Sequence, residues 1–140
     1  MCVIKEVTGD LFNSTDSLAH CVSEDLHMGA GIAIQFKKRF GKVSDLKLQN
    51  KFVGTVALLN DTNRYIFYLV TKQKYWGKPT KEYFYNCIKD LADHCVTLNI
   101  TKLSIPRLGA GLDKLDWNWV LETIKEVFSS IDITITIYSL

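Results

Sequence analysis

The sequence predicts an α/β fold in which a mixed, mostly parallel sheet lies between helical layers. Three observations predict it. Strand-length apolar runs alternate with segments of helical periodicity throughout the 140 residues. One pair of runs is separated only by turn-forming residues, as in an antiparallel hairpin. The terminal run Ile133-Thr134-Ile135-Thr136-Ile137-Tyr138 alternates strictly between apolar and polar, the signature of a half-covered strand. Residues 1–140 are expected to form a single domain, with neither linker nor repeat, and the length suffices for a sizeable core.

The elements follow in order. Val3 to Val7 reads as a strand closed by Thr8-Gly9-Asp10. Leu18-Ala19-His20-Cys21-Val22 is a second strand, apolar enough to be covered on both faces. Ile32, Phe36 and Phe40 recur at helical spacing until Gly41 stops the helix, and a short helix is expected from Ser44 to Leu48. Gly54 to Leu59 and Tyr65 to Val70 form the hairpin pair around Asn60-Asp61-Thr62-Asn63-Arg64. Thr80 is the candidate N-cap of a long helix reaching about Asn99. A strand from Lys102 to Ile105 precedes a glycine-rich turn. Asp116 then caps a helix with apolar positions Val120, Ile124, Val127, Phe128 and Ile131. Trp117 and Trp119 are assigned to its packing.

With 47% hydrophobic and 23% charged residues the chain reads as an ordinary soluble protein. A net charge of +2 sets up no global field that demands nucleic acid or membrane, and Lys37-Lys38-Arg39 reads as a solvated helix face. The N-terminus lacks the apolar core of a signal peptide and no run is long enough to span a bilayer, so an intracellular monomer is the default expectation. Cys2, Cys21, Cys87 and Cys95 form no C-x-x-C pair. Cys87 and Cys95 share a helical stripe with Phe84, Ile88, Leu91 and Leu98 and read as core thiols, while His94 points off it toward solvent. No metal site or cofactor is expected. No P-loop sequence occurs, which excludes that class of NTPase.

Three loops carry the chemistry: Ser23 to Gly31, Thr71 to Pro79 and Pro106 to Asp113. Each follows a strand, so parallel strands bring all three to one rim, where ligands of α/β sheets collect. Gly109-Ala110-Gly111 lets backbone N–H groups approach a phosphate without interference from Cβ. Asp10 either binds a ligand or caps the turn after Gly9. Tyr75-Trp76 either stacks on a base or peptide or covers a hydrophobic edge.

Gly9-Asp10-Leu11-Phe12, Met28-Gly29-Ala30-Gly31-Ile32-Ala33 and Pro106-Arg107-Leu108-Gly109-Ala110-Gly111-Leu112-Asp113 together resemble the signatures of macrodomains, the three-layer α/β/α modules that bind ADP-ribose. Asp16-Ser17-Leu18-Ala19-His20-Cys21, Leu69-Val70-Thr71-Lys72 and Ile137-Tyr138-Ser139-Leu140 resemble the terminal ADP-ribose protein glycohydrolase branch. The resemblance spans essentially the whole chain, with motifs in order.

The resemblance implies roles. Asp10 would accept from the adenine amine, with Leu11 beside it. Ser23 and the loop Met28, Gly29, Ala30, Gly31, Ile32 and Ala33 would surround the distal ribose. Gly109, Ala110, Gly111 and Leu112 would present N–H groups to the diphosphate. Tyr138 and Leu140 would line the adenosine end. His20, Thr71, Pro106, Arg107 and Leu108 fall within the same ligand-contacting motifs. Lys72 would be the nucleophile, its basicity lowered by burial or by Lys74 and Lys78, and Asp113 the acid/base. Without the resemblance, Lys72 reads as a solvated lysine and Asp113 as a helix-approach cap. Asn13-Ser14-Thr15 looks shorter than its counterpart in that branch, which bears on the adenosine rim only.

The implied function is release of mono-ADP-ribose from glutamate or aspartate esters of proteins, and deacylation of O-acyl-ADP-ribose, in the nucleus or cytoplasm. ADP-ribosylated proteins and O-acyl-ADP-ribose are thus the expected partners, with no membrane and no direct nucleic-acid requirement. The alternatives are a non-catalytic ADP-ribose reader and an ADP-ribose 1″-phosphate phosphatase.

Overall fold

The computed structural model describes residues 1–111 and 113–140. Six strands form one sheet: β1 (Cys2–Thr8), β2 (Ser17–Ser23), β3 (Thr55–Asp61), β4 (Arg64–Lys72), β5 (Lys102–Pro106) and β6 (Ile133–Ser139). Their spatial order is β1-β6-β5-β2-β4-β3, and every neighbouring pair is parallel except the β3–β4 hairpin. The hairpin tightens to two residues, Thr62-Asn63, because Asp61 and Arg64 still pair across it. Thr62 takes the left-handed conformation that such a turn needs (φ 58°).

Alternation along the strands assigns side chains to two cores. In β4, Phe67 and Leu69 join Phe84, Ile88 and Leu91 of α3 (Lys81–Thr97) and Val120, Ile124 and Phe128 of α4 (Trp117–Phe128). Ile66, Tyr68 and Val70 face the other way, onto Phe36 of α1 (Ile32–Phe40) and Leu46 of α2 (Val43–Leu48). The α1–α2 layer is the smaller one. Val3 and Val7 at the β1 edge remain exposed.

The ends follow local chemistry. Thr80 accepts from the Tyr83 N–H at 3.0 Å and Asp116 from the Asn118 N–H at 3.0 Å, so both expected caps are in place. Cys87 and Cys95 are buried in the α3 stripe, where burial pushes each thiol up to about 12. His94 departs from expectation. It is half-buried, 3.7 Å from the Asp90 carboxylate and tilted toward the Phe67 ring, because the end of α3 still lies against β4.

Candidate functional site

Because β5, β2 and β4 are adjacent and parallel, the loops that leave their carboxyl ends converge. The three expected loops therefore share one rim, and the ends of β1 and β6 border it. A register shift between Val22 and Ser23 opposes Ser23 to Lys72 and bends the β2 end toward the Lys72 loop.

On that rim the Lys72 Nζ donates to Asp113 Oδ1 at 2.7 Å, with side-chain exposures of 16% and 13%. Water is thus largely excluded from the pair, which strengthens its electrostatics. The expected crowding of Lys72 by cations is corrected: its partner is a carboxylate, and Lys74 is exposed. Asp113 likewise is no competing cap, since Asp116 holds the start of α4. Cys21 adjoins the pair. Burial raises its thiol well above the ordinary value, and the neighbouring Cys87 sulfur and Asp113 carboxylate add to this. The Gly109 N–H aimed at its sulfur and the Lys72 ammonium oppose the rise. A neutral thiol beside the lysine is the result.

The loop after β5 is knit by turns, with Leu115 N–H donating to Gly109 O at 2.7 Å and Lys114 N–H to Gly111 O at 3.1 Å. Gly109 sits at φ +70°, and a Cβ there would lie 2.7 Å from the Leu115 side chain. A Cβ on Gly111 would meet nothing within 4 Å. One glycine serves the turn and the other faces open space. The expectation that all the loop's N–H groups point at a ligand needs correction. Ala110 N–H turns inward to Arg107 O at 3.2 Å, because closing this tight loop consumes it. Leu112 lies outside the described residues.

The loop after β2 is organised by Asp25. Its carboxylate accepts from Ser23 Oγ, from His27 N–H at 3.2 Å and from Tyr75 N–H at 3.1 Å. Burial alone would raise its pKa, but the Ser23 hydroxyl and the Tyr75 and His27 N–H groups outweigh it and hold the carboxyl below its usual range. His27 stacks on Tyr75 with ring centroids 3.9 Å apart, and Lys37 Nζ donates to His27 O at 3.2 Å. A Cβ on Gly29 would lie 2.6 Å from the His27 ring, so glycine leaves that ring free to stack on Tyr75. Gly31 (φ 59°, ψ −146°) turns the chain into α1.

Other expected contacts are placed differently. His20 is 0% exposed, stacked on Phe36 at 3.7 Å and edge-on to Tyr68 at 4.8 Å, so its ring belongs to the α1-side core and not to the ligand surface. Met28, Leu11, Leu108 and Thr71 also bury their side chains, which leaves them at most backbone roles. Ile32 and Ala33 pack partly against the same core, while Ala30 is exposed. Pro106 ends β5 beside Tyr138 of β6. Arg107 reaches outward over Trp117 and toward Glu6, away from the pair. Asp10 caps the turn Leu11–Asn13 through one oxygen, accepting from Phe12 N–H at 2.9 Å. Tyr138 lies over Gly9, and Leu140 is fully exposed.

Sequence reasoning missed Cys21, Asp25 and His27. Asp25 left one trace, the Asp-x-His spacing of an Asx turn, but its bond to Tyr75 spans 50 residues. Among the described residues no group of three His, Cys, Asp or Glu side chains is placed to hold a metal ion.

A family profile described as Macro domain matches residues 19–124. The chain is 50% identical over 139 residues to ADP-ribose glycohydrolase OARD1 of Homo sapiens, covering 98% of this chain and 91% of that protein. It is 30% identical over 144 residues to the DNA ADP-ribosyl glycohydrolase of Mycobacterium tuberculosis, covering 94% of this chain and 40% of that protein. In three dimensions the macrodomain of Mycobacterium tuberculosis DarG is similar, with a TM-score of 0.89 at 26% identity and coverage of 99% and 98%.

Proposed function

This chain belongs to the macrodomain family, and from that premise we propose that it binds ADP-ribose and hydrolyses its linkage to a carrier. The carriers we assign are glutamate and aspartate esters on proteins and the acyl group of O-acyl-ADP-ribose. The observation that carries the reading is the 2.7 Å contact between Lys72 and Asp113 on the rim where three loops meet. A binding module has no use for a half-sequestered ion pair there, whereas covalent catalysis needs an amine with a proton acceptor in reach. The hydrolase names of the relatives agree with it.

In this mechanism the diphosphate rests against the loop at Gly111, whose open side admits it. Migration of the acyl group off C1″ frees the distal ribose to open to its aldehyde. Asp113 takes a proton from the Lys72 ammonium, and the Nζ lone pair attacks C1″. Loss of water forms a Schiff base. Asp113 then activates one water that cleaves the migrated ester and releases the carboxylic acid, and a second water hydrolyses the imine to release ADP-ribose and the free amine.

The test uses a glutamate-linked mono-ADP-ribosylated protein with wild type, Lys72→Ala and Asp113→Ala. Wild type releases free ADP-ribose, both variants lose release, and borohydride traps an adduct on Lys72 alone. Wild type that binds ADP-ribose but releases none would make the protein a reader.

A further inference from the structure

We infer that the face beside the site docks a segment of single-stranded nucleic acid, with an unstacked base on the Tyr75–Trp76 platform. Tyr75 and Trp76 do not cover a hydrophobic edge. They are 49% and 69% exposed, and their rings meet edge-on at 4.9 Å. The platform is held rigid from below: His27 stacks on Tyr75, and the Asp25 carboxylate holds the Tyr75 N–H. A rigid, solvent-facing aromatic surface costs exposed apolar area, and its gain lies in stacking a planar group.

A second aromatic stands on the same wall. Phe52 is 62% exposed and borders a groove of about 300 Å³ with Glu24, Lys47 and Lys51. Glu24 joins the two parts, since its N–H donates to Lys72 O at 2.8 Å and its carboxylate accepts from Val53 N–H at 3.1 Å. The groove and the Lys72 loop therefore share one segment of chain.

Charge selects the occupant. The net charge of +2 conceals a strong local bias. Lys47 and Lys51 border the groove and Lys74 precedes the platform, whereas Lys72 is paired with Asp113, Lys81 lies over Trp119 and Arg39 over Phe12. Glu24 and Asp25 are turned onto backbone donors, while Lys47, Lys51 and Lys74 are exposed and outnumber the exposed Asp45. Lysines interleaved with exposed aromatics match a strand with a phosphate backbone and free bases. An acidic peptide would use the cations but leave the platform idle. A duplex would keep its bases stacked out of the platform's reach.

The test measures binding of a fluorescein-labelled fifteen-nucleotide oligo(dT), without ADP-ribose, by anisotropy across a salt series, so it is independent of hydrolysis. Wild type should bind with log K falling, per tenfold rise in salt, by roughly 0.7 for each phosphate neutralised. Trp76→Ala should weaken binding roughly tenfold with an unchanged salt slope. Lys47→Glu with Lys51→Glu should weaken it and flatten the slope. Each variant should keep the wild-type melting temperature, since these side chains are exposed, and should hydrolyse O-acyl-ADP-ribose at the wild-type rate if the protein is a hydrolase. Absence of binding at low salt, equal binding of polyglutamate or of a duplex, or an affinity that Trp76→Ala leaves unchanged would each overturn the inference. Loss of O-acyl-ADP-ribose hydrolysis in the wild type would instead remove the proposed function and leave the docking face standing.

Discussion

Lys72 and Asp113 are 41 residues apart in sequence and 2.7 Å apart in space. Neither side chain has an evident reason to be half-sequestered except the other. Asp113→Asn keeps the shape and removes the proton acceptor, so turnover should fall by on the order of 10²–10⁴ while ADP-ribose affinity changes little, read as a kcat loss at constant Kd. His20 shows the opposite economy, a titratable group that the proposed chemistry does not use. Burial lowers its imidazole to about 3 from 6.5, so the folded protein refuses a proton that the unfolded chain accepts. The stability this protects is complete above pH 6.5 and declines as pH falls toward 3. Denaturant unfolding between pH 6 and pH 4 should show a contribution of about 1.4 kcal/mol per pH unit that is absent in His20→Phe. An equal slope in both proteins would show that the ring is not held neutral.

At the scale of the element, the loop after β5 separates two kinds of glycine. Gly109→Ala forces a Cβ into the left-handed region and against Leu115, and should cost about 1–2 kcal/mol in urea unfolding. A Cβ at Gly111 meets no atom within 4 Å, so Gly111→Glu should hold the melting temperature while calorimetric ADP-ribose binding disappears. A Gly111→Glu protein with wild-type affinity would move the diphosphate elsewhere. The α3 cap is a purely structural counterpart. Thr80→Ala should destabilise by about 1 kcal/mol with no change in the site. The helix caps, the stop at Gly41 and the hairpin were legible in the chain because each depends on neighbours within a few residues. The inward turn of the Ala110 N–H was not legible. It depends on how the whole loop closes.

For the molecule as a whole, topology converts three separate loops into one site. The order β5-β2-β4 with parallel neighbours puts their ends side by side, and a one-strand rearrangement would scatter them. The α3–α4 core buries both Cys87 and Cys95, so iodoacetamide should leave both thiols unmodified in the native protein and label them on global unfolding. Periodicity and turn chemistry sufficed for the α/β class, the element boundaries to within a few residues, and the motifs shared with macrodomains, since all of these are properties of contiguous residues. Only the tertiary structure decided that Lys72 pairs with Asp113 and not with another lysine. It likewise decided that Asp25 bolts one loop to another, that His20 is sealed in the core, and that Trp76 faces solvent. Those outcomes rest on contacts between residues tens of positions apart. Packing against the finished sheet selects such contacts, and no local pattern encodes them.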